Sequence, residues 1–288
     1  GYQKGEIKEI TYEELGLGVQ PTVRTSRFAY SITESLGVFV SQAGPNSPAG
    51  RAGLQNVPPD LITHINNIAI TSTQVFEEQL TKALIEKQKF ILLKINRGKL
   101  SFETALKPTY KLAGKSVAII ITTDEPTYWK EITKFTMSTG ATTKIFSKSG
   151  ESFRIAPSNF REKEIIVKAH DSFDKLKVSE FDTILLLDGN NSNKESEKEI
   201  LKYIKEAHQL KKKIASVGSR TLLLLEADES IKLTKITTNV QSSEAALSAK
   251  ANYTGKDVES DANIITTTGS DEDIIKDFLF KWKEEQKK

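Results

Sequence analysis

The sequence predicts two units of different class, an α+β unit ending near residue 107 and an α/β unit with a parallel sheet from residue 115 onwards. Three observations carry this. From Lys115 on, apolar β-branched strands alternate with helices, the pattern of a parallel sheet covered on both faces. Before Lys107 the strands are short, separated by glycine turns, and accompanied by one amphipathic helix. Between them Lys107–Lys115 carries Pro108 and Gly114 without periodicity, which places a linker at 108–114. At 288 residues, each unit is long enough to bury its own core.

Taken in order, residues 1–12 are polar and mildly charged, a lead-in segment or an edge strand. Glu14–Val23 is a glycine-punctuated turn running into a strand. Two glycines flanking Leu17 free consecutive N–H groups to form a small anion-binding concavity. Leu36–Ser41 reads as a strand, Ala49–Leu54 as a single helical turn closed by Gly53, and Asp60–Ile65 with Ala69–Ile70 as a β unit around Asn66-Asn67. Thr73–Ile85 is an amphipathic helix, with Val75, Phe76, Leu80, Ala83 and Leu84 on its apolar side. Phe90–Asn96 and Leu100–Leu106 form a hairpin across Arg97-Gly98.

In the second unit, Ser116–Thr122, Thr142–Ser147, Glu164–Ala169, Thr183–Leu187, Ile214–Val217 and Asn263–Thr267 read as strands. Helices are expected at Thr127–Ser138, Ser172–Val178, Glu195–Leu210, Leu222–Glu226 and Asp271–Glu284. Asp124-Glu125-Pro126 reads as a turn, residues 188–193 as a loop, and the segment through Ser243 as a polar stretch. Phe278, Leu279 and Trp282 on the last helix read as core, any exposed subset being available for a dimer contact.

Composition narrows the function. A net charge of +3 is too slight to imply nucleic-acid binding. With no cysteine, the chain has no disulfide, thiolate ligand or cysteine nucleophile, and three scattered histidines (His64, His170, His208) argue against a zinc site. Neither metal nor cofactor is expected. The longest apolar runs, Val117–Ile121 and Leu222–Leu225, are too short to span a bilayer. The chain begins at Gly1 and its one methionine is Met137, so a targeting segment or an upstream domain is expected to precede it.

The blocks GLGV (Gly16–Val19), GVFVSQAGPNSPAGRAGL (Gly37–Leu54), DLITHINNIAI (Asp60–Ile70) and TSTQVFEEQL (Thr71–Leu80) resemble a bacterial PDZ domain of the HtrA type, over about 13–107. Pro59-Asp60 stands where such domains have Gly-Asp, and Asn56–Pro59 lengthens the turn. The resemblance implies β-augmentation, in which an extended peptide adds to a sheet edge and its carboxylate enters a backbone nest. Gly16, Leu17 and Gly18 would supply the amides. Leu17, Val19, Thr73 and Leu80 would line the side-chain pocket, Phe76 would lie beneath it, and Glu77 on the rim would disfavour acidic peptides. The partner would be a protein C-terminus or extended segment. Whether the groove takes a peptide in trans or the chain's own segment stays open. Such domains follow a trypsin-like protease domain, so the chain would be the C-terminal part of a periplasmic or secreted protease; no Gly-Asp-Ser-Gly segment occurs here.

KSVAIIIT, FDTILLLDGN, KEAHQLKKKIASVGS and ANIITTTGSDEDIIKDFLFKW together resemble the PfpI family, in the class I glutamine amidotransferase-like superfamily, over 115–288. The implied fold is flavodoxin-like, and self-association through this domain is a family habit. Active members carry a cysteine at a strand-to-helix elbow, followed by histidine and glycine, with an acidic helper and a Pro-Gly-Gly loop. Here those positions read Gly218, Ser219 and Arg220, with Glu125 as the helper and Asp188-Gly189-Asn190 as the loop. A serine nucleophile needs an adjacent base, and no histidine spacing supplies one to Ser219, which is expected instead to cap the following helix. The expected function is therefore non-catalytic peptide binding and assembly. The alternative is hydrolase activity through Ser219 with Glu125, or a small anion held at Arg220 by the helix N-terminus in a polar pocket with Glu125, Asp188 and Ser216.

Overall fold

The computed structural model describes residues 9–22, 36–157 and 164–286. Most of the expected lead-in, and Val23 at the end of the expected first strand, lie outside them. The chain packs as two compact units. The first runs to Ala113 and includes Lys134–Gly140; the second holds Gly114–Thr133 and the chain from Ala141 on.

The first unit is an antiparallel sheet with one long helix. Its strands are β1 (Ile10–Tyr12), β2 (Leu17–Pro21), β3 (Val38–Ala43), β4 (Leu61–Ile65), β5 (Ile68–Ala69), β6 (Ile91–Arg97) and β7 (Leu100–Leu106), in the spatial order β1-β2-β3-β4-β6-β7 with β5 paired to β4. Helix α1 (Pro48–Arg51) is a single turn capped by Ser47, and α2 (Thr73–Ile85) is capped by Ser72. Left-handed Asn66 and Asn67 make the turn between β4 and β5, as their side chains tolerate that conformation. The α2 residues Phe76, Leu80, Ala83 and Leu84 pack with Leu15, Leu17, Val19, Val40 and Ile62 in one core. Val75 is only half-buried, at the edge of that stripe.

Asp60 at the head of β4 is fully buried, yet its charge is matched. Arg97 Nε and Nη2 donate to its two oxygens at 2.7 and 2.8 Å, and the Gln55 N–H adds a third bond at 3.0 Å. Arg97 Nη2 also donates to the Gly53 carbonyl at 2.7 Å, tying the turn after α1 to the end of β6. The aspartate of the DLITHIN block is thus a structural anchor.

The second unit contains β8 (Ser116–Ile120), β9 (Thr123–Pro126), the first turn of α3 (Trp129–Thr139), whose residues from Lys134 on belong to the first unit, β10 (Thr142–Ser147), β11 (Ser152–Ile155), β12 (Ile165–Lys168), β13 (Asp171–Ser172), β14 (Thr183–Leu186), β15 (Gly189–Ser192), α4 (Lys194–Gln209), β16 (Lys213–Val217), α5 (Thr221–Ala227), β17 (Lys235–Ile236), α6 (Val240–Ser248), β18 (Asn252–Tyr253), β19 (Val258–Asp261), β20 (Ile264–Thr267) and α7 (Glu272–Glu285). The main sheet runs β13-β10-β8-β14-β16-β20-β19, parallel except for β19 at the edge. Its central strands are near-continuous apolar runs, as burial on both faces demands. Phe278, Leu279 and Trp282 are core residues; Phe280 is the exposed aromatic of α7.

Four expectations change. Asp124-Glu125-Pro126 is part of strand β9, and residues 189–192 of the expected loop are its antiparallel partner β15. Residues 165–168 pair antiparallel with β11 in a two-stranded sheet outside the main one. Ser172–Val178 forms separate 3-10 turns at Phe173–Lys175 and Val178–Glu180. The polar stretch contains α6, whose first turn is capped by Asn239. Among the described residues no helix is long and apolar enough to cross a membrane.

Replacing Asp60 by Ala leaves Arg97 without its carboxylate, and removing one partner of a buried pair costs about 3–5 kcal/mol. Because Arg97 is partly exposed, the lower end, about 3 kcal/mol, is expected in urea unfolding of Asp60→Ala against the parent protein.

Candidate functional site

Strand β16 lies between β14 and β20, and its carboxyl end delivers Gly218, the place where open parallel sheets put their sites. Gly218 has φ +57°, so the strained strand-to-helix elbow is kept. A Cβ built there would lie 2.0 Å from Asp188 Oδ2. The carboxylate of Asp188 therefore occupies the space that a nucleophile's side chain would need.

Asp188 is held there by a shell of donors. The backbone N–H groups of Ser219 and Gly189 donate to it at 2.7 and 2.9 Å. Ser219 Oγ donates at 2.7 Å, Asn239 Nδ2 at 3.2 Å, and Arg220 Nε stands 3.5 Å away. Two convergent backbone N–H groups from an elbow and an adjacent loop are the usual means of stabilising a developing oxyanion. In this chain they are spent on a resident carboxylate. The Gly218 carbonyl is in turn tied down by Thr238 Oγ1 at 2.9 Å.

Arg220 is buried, and the first-turn carboxylate of α4 explains how: Arg220 Nη1 donates to Glu197 Oε1 and, at 3.1 Å, to Thr122 Oγ1. Burial pushes Glu197 up, but Lys194 and Arg220 outweigh it and hold the carboxyl below its ordinary range. The guanidinium is thus already neutralised, and the expected anion site at Arg220 is filled from within. Ser219 does not cap the helix: its hydroxyl donates to Asp188 and accepts from Arg220 Nη2 at 3.3 Å, and α5 has no side-chain cap. Glu125 lies on β9 and accepts from Asn190 Nδ2 at 2.9 Å, while Ser216 is fully buried against Thr221. Among the described residues neither makes a hydrogen bond or an ion pair with Arg220. The histidines are engaged elsewhere: His208 with Ser230, His170 with the Ile145 N–H, and His64 with Thr63. Glu197, Thr238 and Asn239 were not legible as site residues, since no local pattern links them to position 218.

In the first unit, the GLGV segment forms a turn and the start of β2. Gly16 has φ +58°, and a Cβ there would meet Ser47 at 2.3 Å, so only glycine fits. Its N–H donates to the Glu13 carbonyl at 3.0 Å and is not free for a carboxylate. Leu17 and Val19 are buried with Leu80 in the core, and Thr73 is half-buried in the first turn of α2. Leu17, Gly18 and Val19 face Ala43, Gln42 and Val40 on one edge, and Tyr12, Thr11 and Ile10 on the other. The second edge of β2 is paired with the chain's own β1.

The DJ-1/PfpI family model matches residues 139–283, half of the chain. The chain belongs to the DJ-1/PfpI family. A solved structure from Bacteroides thetaiotaomicron is 18% identical, covers 59% of this chain and 98% of its own, and superposes with a TM-score of 0.51. A ThiJ/PfpI domain protein from Brachyspira murdochii gives 16% identity, 58% and 95% coverage, and a TM-score of 0.47. A two-domain protein with DJ-1/ThiJ/PfpI-like and ferritin-like domains from Anabaena variabilis gives 20% identity and a TM-score of 0.46; the match covers 53% of this chain and 43% of that protein's length. The comparison with curated proteins gives no match. The family fold, flavodoxin-like α/β, is that of the C-terminal part; the N-terminal part is β-rich and lies outside the family match.

Two outcomes test the elbow. Gly218→Ala forces a side chain into a left-handed position against Asp188, and a loss of more than about 1 kcal/mol is expected in urea unfolding; Asp188→Gly in the same chain should recover part of it. Glu197 titrates lower when folded than when unfolded, so its contribution is complete above the ordinary carboxylate range and is lost as pH falls through its depressed value. Stability measured between pH 7 and pH 3 should fall less steeply in Glu197→Gln than in the parent.

Proposed function

We propose that the chain is a non-catalytic binding and assembly protein. The DJ-1/PfpI unit serves as a scaffold through which copies associate, and the β-rich unit, read as PDZ-like, takes extended peptides by strand addition. The observation that carries the non-catalytic half is the Asp188 carboxylate in the elbow. A nucleophile there would need a side chain at 218, a base beside it and two free N–H donors. All three requirements are unmet: Gly218 has no side chain, the histidines are bonded elsewhere, and the donors are taken. Ser219 Oγ is held between Asp188, to which it donates at 2.7 Å, and Arg220 Nη2, from which it accepts at 3.3 Å, and no histidine stands beside it to take its proton.

Support for the PDZ-like half is the placement of the GLGV turn beside a strand edge that faces one helix, with Leu17, Val19 and Leu80 sharing a core. Turnover of esterase, amidase and peptidase substrates should equal the buffer background in the parent and in Ser219→Ala alike. A rate in the parent that disappears in Ser219→Ala would restore the hydrolase reading.

A further inference from the structure

Strand β1 is only three residues long, yet it occupies the Leu17–Val19 part of the β2 edge, beside the GLGV turn. It runs antiparallel to β2, with Ile10 opposite Val19, Thr11 opposite Gly18 and Tyr12 opposite Leu17. Side chains alternate along a strand, so Ile10 and Tyr12 share one face; Ile10 packs at the margin of the core and Tyr12 is 2% exposed. The Tyr12 ring meets Phe76 of α2 edge-on at 6.5 Å between centroids. Lys134 covers the ring at 5.3 Å and pairs with Glu77 of α2 at 2.7 Å. Behind Tyr12, Glu9 accepts from Ser41 Oγ of β3.

This is the arrangement of a strand-addition ligand: ladder bonding along an edge, with an alternate side chain seated in a pocket. We infer that Glu9–Tyr12 is a resident ligand that keeps the groove between β2 and α2 shut, and that the partner admitted in its place is an extended segment of like pattern, acidic–apolar–any–aromatic. The inference rests on the peptide-capture reading and adds to it the regulation and the class of peptide.

The hydroxyl of Tyr12 sharpens the specificity. It is buried without a well-formed hydrogen bond. Burial first, and the Glu77 carboxylate second, push the phenol above its ordinary range, with Thr81 acting against them. A buried hydroxyl whose neighbour Thr81 gives it no well-aligned bond gains little from being there, so the pocket should take phenylalanine about as well as tyrosine. Anchoring by one aromatic side chain on a three-residue strand is weak enough to be displaced, since Ile10 and Thr11 stay half-exposed. A ligand competing with a mostly closed groove shows an affinity reduced by the fraction of open molecules.

The test is fluorescence polarisation with a labelled peptide ending in Glu-Ile-Thr-Tyr, against the parent protein, Tyr12→Ala and Tyr12→Phe. Tyr12→Ala should bind at least tenfold tighter than the parent, and Tyr12→Phe no tighter than the parent. The same peptide with its tyrosine changed to Phe should bind as well, and changed to Ala should bind tenfold more weakly or not at all. Hydrogen exchange on the parent provides a second readout: saturating peptide should strip protection from the Ile10–Tyr12 amides while β2 keeps its own. Equal, tight binding by parent and Tyr12→Ala would overturn the resident-ligand inference and leave peptide capture standing. No binding by either, with the fold intact, would overturn both. A shift of Tyr12→Ala to a dimer that excludes peptide would assign the groove to a second copy and overturn the peptide class. Should Tyr12→Ala fail to fold, unchanged exchange at Ile10–Tyr12 in the peptide-saturated parent overturns the inference by itself.

Discussion

The bond that decides the reading of this chain is the one between the Asp188 carboxylate and the Ser219 N–H. It joins the segment after β14 to the elbow after β16 and places a carboxylate in the space that a side chain at position 218 would need. Everything near it follows from satisfying that charge. Gly189 turns its N–H inward, Ser219 gives both its N–H and its hydroxyl, Asn239 reaches across from the cap of α6, and Arg220 is drawn in and balanced by Glu197. A buried charge network of this kind is tolerated only when each member is paired. Once paired it resists the intrusion of a substrate, because any incoming group must compete with ligands that are already in place.

The first unit follows the same logic with apolar contacts in place of charges. A sheet edge beside a helix is open to any extended strand. Here the preceding residues fold back onto it, and Tyr12 fills the gap between β2 and α2. In each unit, therefore, a side chain of the chain itself fills the space beside the strand end: Asp188 at the elbow, through several directed bonds, and Tyr12 beside β2, through one ring and a short ladder.

Much of this was legible in the sequence, and the exceptions have physical reasons. The helix Thr73–Ile85 and the strands Leu100–Leu106 and Thr142–Ser147 appear with the bounds their periodicity gives, because a clear apolar face and Ser72 or Gly98 punctuation fix their ends. The elbow at Gly218 was legible too, along with the place of Asp188 and Gly189 beside it. What Asp188 does there was not, since the contact joins residues 31 positions apart and depends on a rotamer. Strands β9 and β15 were read as a turn and a loop, because Asp, Glu, Asn and Gly favour such states locally and only mutual pairing overrides them. Helix α6 was hidden by its polar sequence. The lead-in was read as lead-in or edge strand, but nothing in Ile10–Tyr12 alone shows that β2 is its partner.

The most direct test of the account is intact-mass spectrometry after prolonged exposure to a serine-reactive phosphonate, followed by peptide mapping. With Ser219 Oγ donating to a fully engaged Asp188, the mass should stay that of the unmodified chain. A stoichiometric adduct on Ser219 would contradict it, showing that the elbow still carries a working nucleophile.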